Sequence, residues 1–151
     1  MTTLLGRRLP EEEEVDVSGL LWLTYRCGFA EMVPFGYSDD AGWGCMLRAC
    51  QMLVAYALLR HGSGRVEGGK WFADAPGDDA IFSIHNMVRV GQRYDVLPGE
   101  WYGPGVASHV LRELCDVARV GMRLMVTSAD NPLCRESVFD SMSRHVREEV
   151  R

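Results

Sequence analysis

Residues 40–48 read DAGWGCMLR: a cysteine placed directly after Gly-Trp-Gly, at the head of a helix-forming run. Beyond Cys45, the residues Met46, Ala49, Cys50, Leu53 and Ala57 recur at helical spacing, and the other faces are nearly as apolar. That pattern predicts a central, buried helix. A cysteine in its first turn stands among unpaired N–H groups and at the positive end of the helix dipole, a setting that lowers a thiol pKa. Gly42 and Gly44 flank Trp43. They let the backbone approach a substrate carbonyl and leave N–H groups free to stabilise an oxyanion. A buried structural cysteine at a helix start accounts for the position equally well. Position alone leaves nucleophile and core thiol both open.

Outward from this stretch the chain reads as one mixed helix-and-strand domain, weighted toward helix. Residues 1–18 carry EEEE and little hydrophobicity, and are expected to be a flexible acidic tail; residues 19–151 form the domain. LLWLTYR at 20–26 is a short helix or strand entering the core, and 28–44, rich in Gly, Asp and Pro, is a loop. Ser83 caps a second helix with Ile84, Met87, Val88 and Gly91 on one face. PGEWYGPG at 98–105 is a turn-rich loop. It leads into a third helix with Val106, Val110, Leu114 and Val117 inward and Arg112, Glu113, Asp116 and Arg119 outward. RLMVT at 123–127 is a strand candidate, and 137–151 is a final amphipathic helix.

Composition narrows the function. Sixteen Lys+Arg against 21 Asp+Glu give a net charge of −5, and no basic cluster stands out, so nucleic acid is not an expected partner. MTTLLGRRLPEEEEVDVSGL has no apolar core of a secretory signal, and MLVAYALL at 52–59 is too short to span a bilayer. Five cysteines without framework spacing suit a reduced, cytoplasmic setting. No CxxC pair occurs, so a zinc site is not expected. No metal or organic cofactor is implied.

Four blocks occur in order: LWLTYRCGF at 21–29, SDDAGWGCMLRACQM at 38–52, FSIHNMV at 82–88 and WYGPGVASHVL at 101–111. Together they resemble the autophagy cysteine proteases (autophagins), papain-clan enzymes that process a ubiquitin-like autophagy modifier. The resemblance runs from Leu20 to about Ala129 and is most specific in GWGCMLR. It implies an α+β, papain-like fold, of which this chain supplies the helix-rich, cysteine-bearing lobe. It implies that Cys45 is the nucleophile that attacks the carbonyl of a glycine near the modifier's C-terminus. Tyr25 matches the family tyrosine whose hydroxyl lies at the oxyanion site, and Trp101 matches the tryptophan that packs on the substrate tail. The implied partners are the modifier as precursor and in its lipid-conjugated form, with peripheral contact to autophagic membranes.

Such chemistry also needs an imidazole and a group to orient it. In the autophagins both come from one Asp-Pro-His downstream, and this sequence contains none. Of its four histidines, His61 ends the cysteine's own helix, roughly 24 Å away at 1.5 Å per residue. His85 and His109 lie in blocks to which the resemblance assigns no base, and His145 lies in the polar terminal helix. The base His and orienting Asp are therefore not expected in these 151 residues, and a homologue that binds the modifier without cutting it is the alternative.

Overall fold

The computed structural model describes residues 2–4, 7–9, 20–60, 70–118 and 122–127, together with 134, 136 and 138. Its regular elements are strands β1 (Thr2–Leu4), β2 (Arg7–Leu9), β3 (Cys27–Met32) and β4 (Tyr37–Asp39), and helices α1 (Cys45–Arg60), α2 (Ile84–Gly91) and α3 (Pro104–Ala118). The class is α+β. β1 pairs antiparallel with β2, and β3 pairs antiparallel with β4. Part of the segment expected to be a tail thus forms a hairpin; the acidic run lies outside the described residues.

The segment 28–44, expected to be loop throughout, is mostly a hairpin. Pro34 and Gly36 lie in the Val33–Gly36 turn, while Phe29 and Met32 turn their side chains into the core. Residues 21–26 enter the molecule as neither helix nor strand: only Leu23 is buried, and Trp22 is 77% exposed. RLMVT at 123–127 belongs to no sheet. The helix expected over 137–151 lies outside the described residues apart from Val138, and so do His61 and His145.

α1 is a helix as expected, but it is buried on one side rather than on most sides. Leu47, Arg48, Cys50, Gln51, Val54, Ala55 and Leu58 point inward, while Ala49 and Leu53 face out, Leu53 at 60% exposure. Apolarity alone could not find this face, because two of its members are polar and are satisfied by partners inside the protein. α2 begins as its sequence indicates. Ser83 is extended at φ −62°, ψ 154°, and its hydroxyl accepts the Asn86 N–H at 3.2 Å. Its predicted face, Ile84, Met87, Val88 and Gly91, is buried.

α3 starts at Pro104, where a missing N–H costs nothing. Its buried stripe is Ala107, Val110, Leu111, Leu114 and Cys115. Val106 is only half-buried and Val117 is exposed, because both lie roughly 90° round the helix from the stripe's centre. The core lies among α1, α2 and α3, with Phe29, Trp43, Phe72, Phe82 and the fully buried Tyr102 filling it. Gly91 is needed where α2 meets Tyr102, since a Cβ there would stand 2.2 Å from the phenol oxygen. Tyr94 donates a hydrogen bond to Glu113, which also pairs with Arg93, and this ties the turn after α2 to α3. Among the described residues no helix is long and apolar enough to cross a membrane.

Candidate active site

α1 begins at Cys45, as the sequence predicts. Asp40 builds the approach: its carbonyl accepts the N–H of Trp43 at 3.3 Å and of Gly44 at 2.9 Å, and the Gly44 carbonyl accepts the Arg48 N–H at 3.0 Å. The first-turn N–H groups of α1 therefore have no partner within the helix. Gly42 sits at φ +84°, a left-handed conformation that other residues adopt at a cost. Gly44 has a second reason to lack a side chain, because a Cβ there would lie 2.3 Å from the Asp40 Oδ2. The Gly44 N–H is thus spent on Asp40, and the space beside Gly44 is taken by a carboxylate.

Cys45 is half-buried, and the Tyr25 hydroxyl lies close to its sulfur. Hydrogen bonding toward that sulfur, then desolvation, then the charges of Cys45 and Asp40 push the phenol above its ordinary range. A phenol so placed stays protonated at neutral pH and is a donor. Tyr25 is otherwise open, with 46% of its surface exposed. Two of the residues predicted to act together, Tyr25 and Cys45, are therefore in contact.

Trp101 stands on a loop that packs against Tyr37. Its loop turns at Gly99, φ +86°, where a Cβ would stand 2.1 Å from the Tyr37 hydroxyl. Tyr37 in turn packs edge-on against Trp43, ring centroids 5.8 Å apart, and Trp43 precedes Gly44. The Trp43 indole N–H donates to the Asp39 carbonyl at 3.2 Å, which fixes the ring as packing for the loop. Tyr102 anchors the 98–103 loop in the core, while Trp101 is 70% exposed.

Beneath this surface lies a polar cluster that the sequence reading did not identify. The Asp40 carboxylate, with no exposed surface, accepts the Arg26 N–H at 2.6 Å on Oδ1 and Arg48 Nε at 2.8 Å on Oδ2. Arg48 extends from Asp40 to Asp74 (2.7 Å) and Gln51 (3.1 Å), and Arg26 Nη1 also reaches Asp74 at 2.9 Å. Gln51 closes the cluster with a bond to the Phe82 carbonyl. Burial works against the Arg48 charge, but the two carboxylates outweigh it and its pKa is raised. The available signal was an arginine and a glutamine three apart on an otherwise apolar helix, a spacing that puts both on one face.

The other thiols differ from Cys45. Burial pushes Cys50 up to about 11, and burial with the Asp116 charge pushes Cys115 up to about 12. Cys27 and Cys134 are exposed. The two described histidines are engaged elsewhere: His85 Nε2 lies 2.6 Å from the Ala30 carbonyl, and the His109 ring stacks on Tyr94. Among the described residues no three His, Cys, Asp or Glu side chains gather so as to hold a metal ion.

Comparison with known proteins gives the family. Residues 10–150 match the peptidase C54 catalytic domain. The chain is 36% identical over 150 residues to a probable cysteine protease ATG4 of Komagataella pastoris, covering 75% of this chain and 28% of that protein. It is 32% identical over 152 residues to the cysteine protease ATG4A of Mus musculus, with coverage of 89% and 38%. It is 36% identical over 129 residues to the cysteine protease ATG4B of Xenopus laevis, with coverage of 74% and 33%. The chain thus spans about a third of the length of these curated relatives. On the match across 10–150, this chain belongs to the peptidase C54 family.

Proposed function

We propose that this chain carries the cysteine-bearing lobe of a papain-like thiol protease. That enzyme processes and deconjugates a ubiquitin-like autophagy modifier after a C-terminal glycine, in the cytoplasm. The observation that carries this reading is the Tyr25–Cys45 pair at the head of α1. The Cys45 sulfur attacks the glycine carbonyl, forming a C–S bond and an oxyanion. The Tyr25 hydroxyl and the free N–H groups of α1's first turn donate to that oxyanion. Collapse breaks the C–N bond, the amine leaves with a proton, and water hydrolyses the thioester. Trp101, exposed on the loop packed against Tyr37, supplies an aromatic wall for the modifier's tail. The same chemistry serves a precursor and a lipid-conjugated modifier, the latter reached by peripheral contact with the membrane.

The proton for the leaving amine is the missing part. Both described histidines have partners of their own, and the sequence contains no Asp-Pro-His. This favours a second reading for residues 1–151 taken alone: they bind the modifier without cleaving it. The test is an assay of purified 1–151 on modifier precursor, beside the same chain extended through a downstream Asp-Pro-His. The longer chain should cleave, Cys45→Ala should abolish that cleavage, and the short chain should not turn over. A short chain that cleaves at a comparable rate, in a Cys45-dependent way, would return His85 or His109 to consideration as the base.

A further inference from the structure

Asp40 occupies an unusual place relative to the pair on which the proposed chemistry depends. It contacts the residue directly after Tyr25 and the residue directly before Cys45. On the first side, its Oδ1 accepts the Arg26 N–H at 2.6 Å, and its own N–H donates to the Arg26 carbonyl at 3.1 Å. On the second side, its carbonyl accepts the Gly44 N–H, and its Oδ2 fills the space where a Gly44 Cβ would be. Arg48, one turn into α1, holds that same oxygen at 2.8 Å from within the helix. Asp40 and Arg48 are both essentially without exposed surface, so neither arrangement is loosened by solvent.

A buried ion pair of this kind is weak evidence of a stabilising role. Desolvation consumes most of what the attraction returns, and an apolar pair of similar volume often serves stability as well. The Arg48 Nη2 also remains buried without a partner, a further cost. What an apolar pair could not supply is direction: one carboxylate that accepts from the backbone of the 25–26 segment on one oxygen and from α1 on the other. We infer that Asp40, locked by Arg48, is a positioning residue that sets the Tyr25 hydroxyl against the Cys45 sulfur. The inference rests on the reading of Tyr25 and Cys45 as the working pair. Asp40 acts through Arg26 and Gly44 and touches no reacting atom.

Asp74 provides the contrast. It shares the cluster, bonding Arg48 and Arg26, but through side chains alone. It bonds neither the Arg26 backbone nor Gly44. Loss of Asp74 should weaken the fold and leave the alignment of Tyr25 with Cys45 in place. Loss of Asp40 should uncouple the two. An asparagine at position 40 offers one acceptor where two donors converge, so one of the two links fails.

The experiment is a double-mutant cycle read on the alkylation rate of Cys45 by iodoacetamide at pH 7. It uses the full chain, with circular dichroism to verify folding and mass spectrometry to isolate the Cys45 peptide. Tyr25→Phe should slow alkylation roughly tenfold in the parent, the scale of one hydrogen bond to a charged partner. In an Asp40→Asn background the same substitution should change the rate by less than about twofold. In Asp74→Asn it should keep its roughly tenfold effect. Arg48→Lys keeps the charge but lacks the fork that spans Asp40 and Asp74. It should behave as Asp40→Asn does, and it decides the matter if Asp40→Asn does not fold. A Tyr25→Phe effect of the same size in parent and Asp40→Asn overturns the inference, and so does a loss of coupling in Asp74→Asn as complete as in Asp40→Asn. If Tyr25→Phe changes nothing in the parent, the Tyr25–Cys45 reading falls and the inference with it. If it changes the parent but not its dependence on Asp40, only the inference falls.

Discussion

The head of α1 and the interface of α2 with α3 are held by different forces. At the head of α1 the contacts are directional: Asp40, Arg48, Gln51 and Asp74 are joined by hydrogen bonds of 2.7–3.1 Å, and Gly44 is shaped to a carboxylate. Between α2 and α3 the contacts are apolar: Met87, Val88, Val110, Leu111 and Leu114 are buried with little polar company. Directional bonds fix where an atom sits and contribute little net stability, because water satisfied the same groups in the unfolded chain. Apolar burial is non-directional and contributes most of the free energy of folding. The molecule places the first kind of contact at the head of α1, where Cys45 stands, and the second where only cohesion is required.

The largest expected effect lies at the directional end. In the complete enzyme, Tyr25→Phe should lower kcat on the order of 10²–10³-fold, the usual result of losing one oxyanion donor, with a much smaller change in KM. Steady-state kinetics on modifier precursor would check this. Thermal stability should hardly move, because the Tyr25 ring is half open to solvent. An unchanged kcat would make Tyr25 a packing residue and remove the functional half of the comparison.

The apolar end should respond in the opposite sense. Leu111→Ala, at a site almost without exposure, should cost about 3 kcal/mol in urea unfolding, and Leu53→Ala on the open face of α1 no more than about 0.5 kcal/mol. Leu111→Ala should leave the relative reactivity of the Cys45 thiol intact at temperatures where the variant is folded. This pair also marks the limit of what periodicity reveals. The sequence pattern correctly gave α1, α2 and α3 and the capping Ser83, because these depend on local spacing and local hydrogen bonds. It expected burial on most sides of α1 because it counted apolar residues. The true face includes Arg48 and Gln51, whose partners Asp74 and Phe82 lie 26 and 31 residues away. The β3–β4 hairpin was hidden for a similar reason: the Gly, Pro and Asp residues scattered through 28–44 read as loop, while the pairing of the two strands and the burial of Phe29 and Met32 depend on contacts that local composition does not show. At the site, the helix-start position of Cys45 was legible, but the Asp40 contact that Gly44 makes was not.

Gly44→Ala tests the boundary between the two kinds of contact. The added methyl would meet the Asp40 Oδ2 at 2.3 Å, so the carboxylate or the helix start must move. We expect a loss of about 2 kcal/mol, the scale of overpacking in a filled interior. Unlike Leu111→Ala, this variant should also weaken the dependence of Cys45 alkylation on Tyr25. Loss of stability without loss of that dependence would show that the Gly44–Asp40 contact only fills space.

The smallest expected effect is an alkaline one, and it belongs to two thiols of the core. Cys50 and Cys115 are held at about 11 and about 12 by burial, against an ordinary value of 9.0, so the folded protein favours their protonated forms. The sign follows from linkage. A group whose folded pKa is raised contributes its full stability below the unfolded pKa, and that contribution is lost as pH rises toward the folded value. The loss should therefore begin near pH 9 and continue to about pH 12. Between pH 8 and pH 9.5 it should amount to roughly 1–2 kcal/mol, about half from each thiol. Tyr102, pushed up to about 12 by burial, acts in the same direction but begins higher, from an ordinary value of 10.0. Urea midpoints at pH 8 and 9.5 measure this, and either Cys50→Ala or Cys115→Ala should roughly halve the difference between the two. A pH dependence that neither variant reduces would remove the buried thiols as its source and the apolar interior as the region that holds the charge cost.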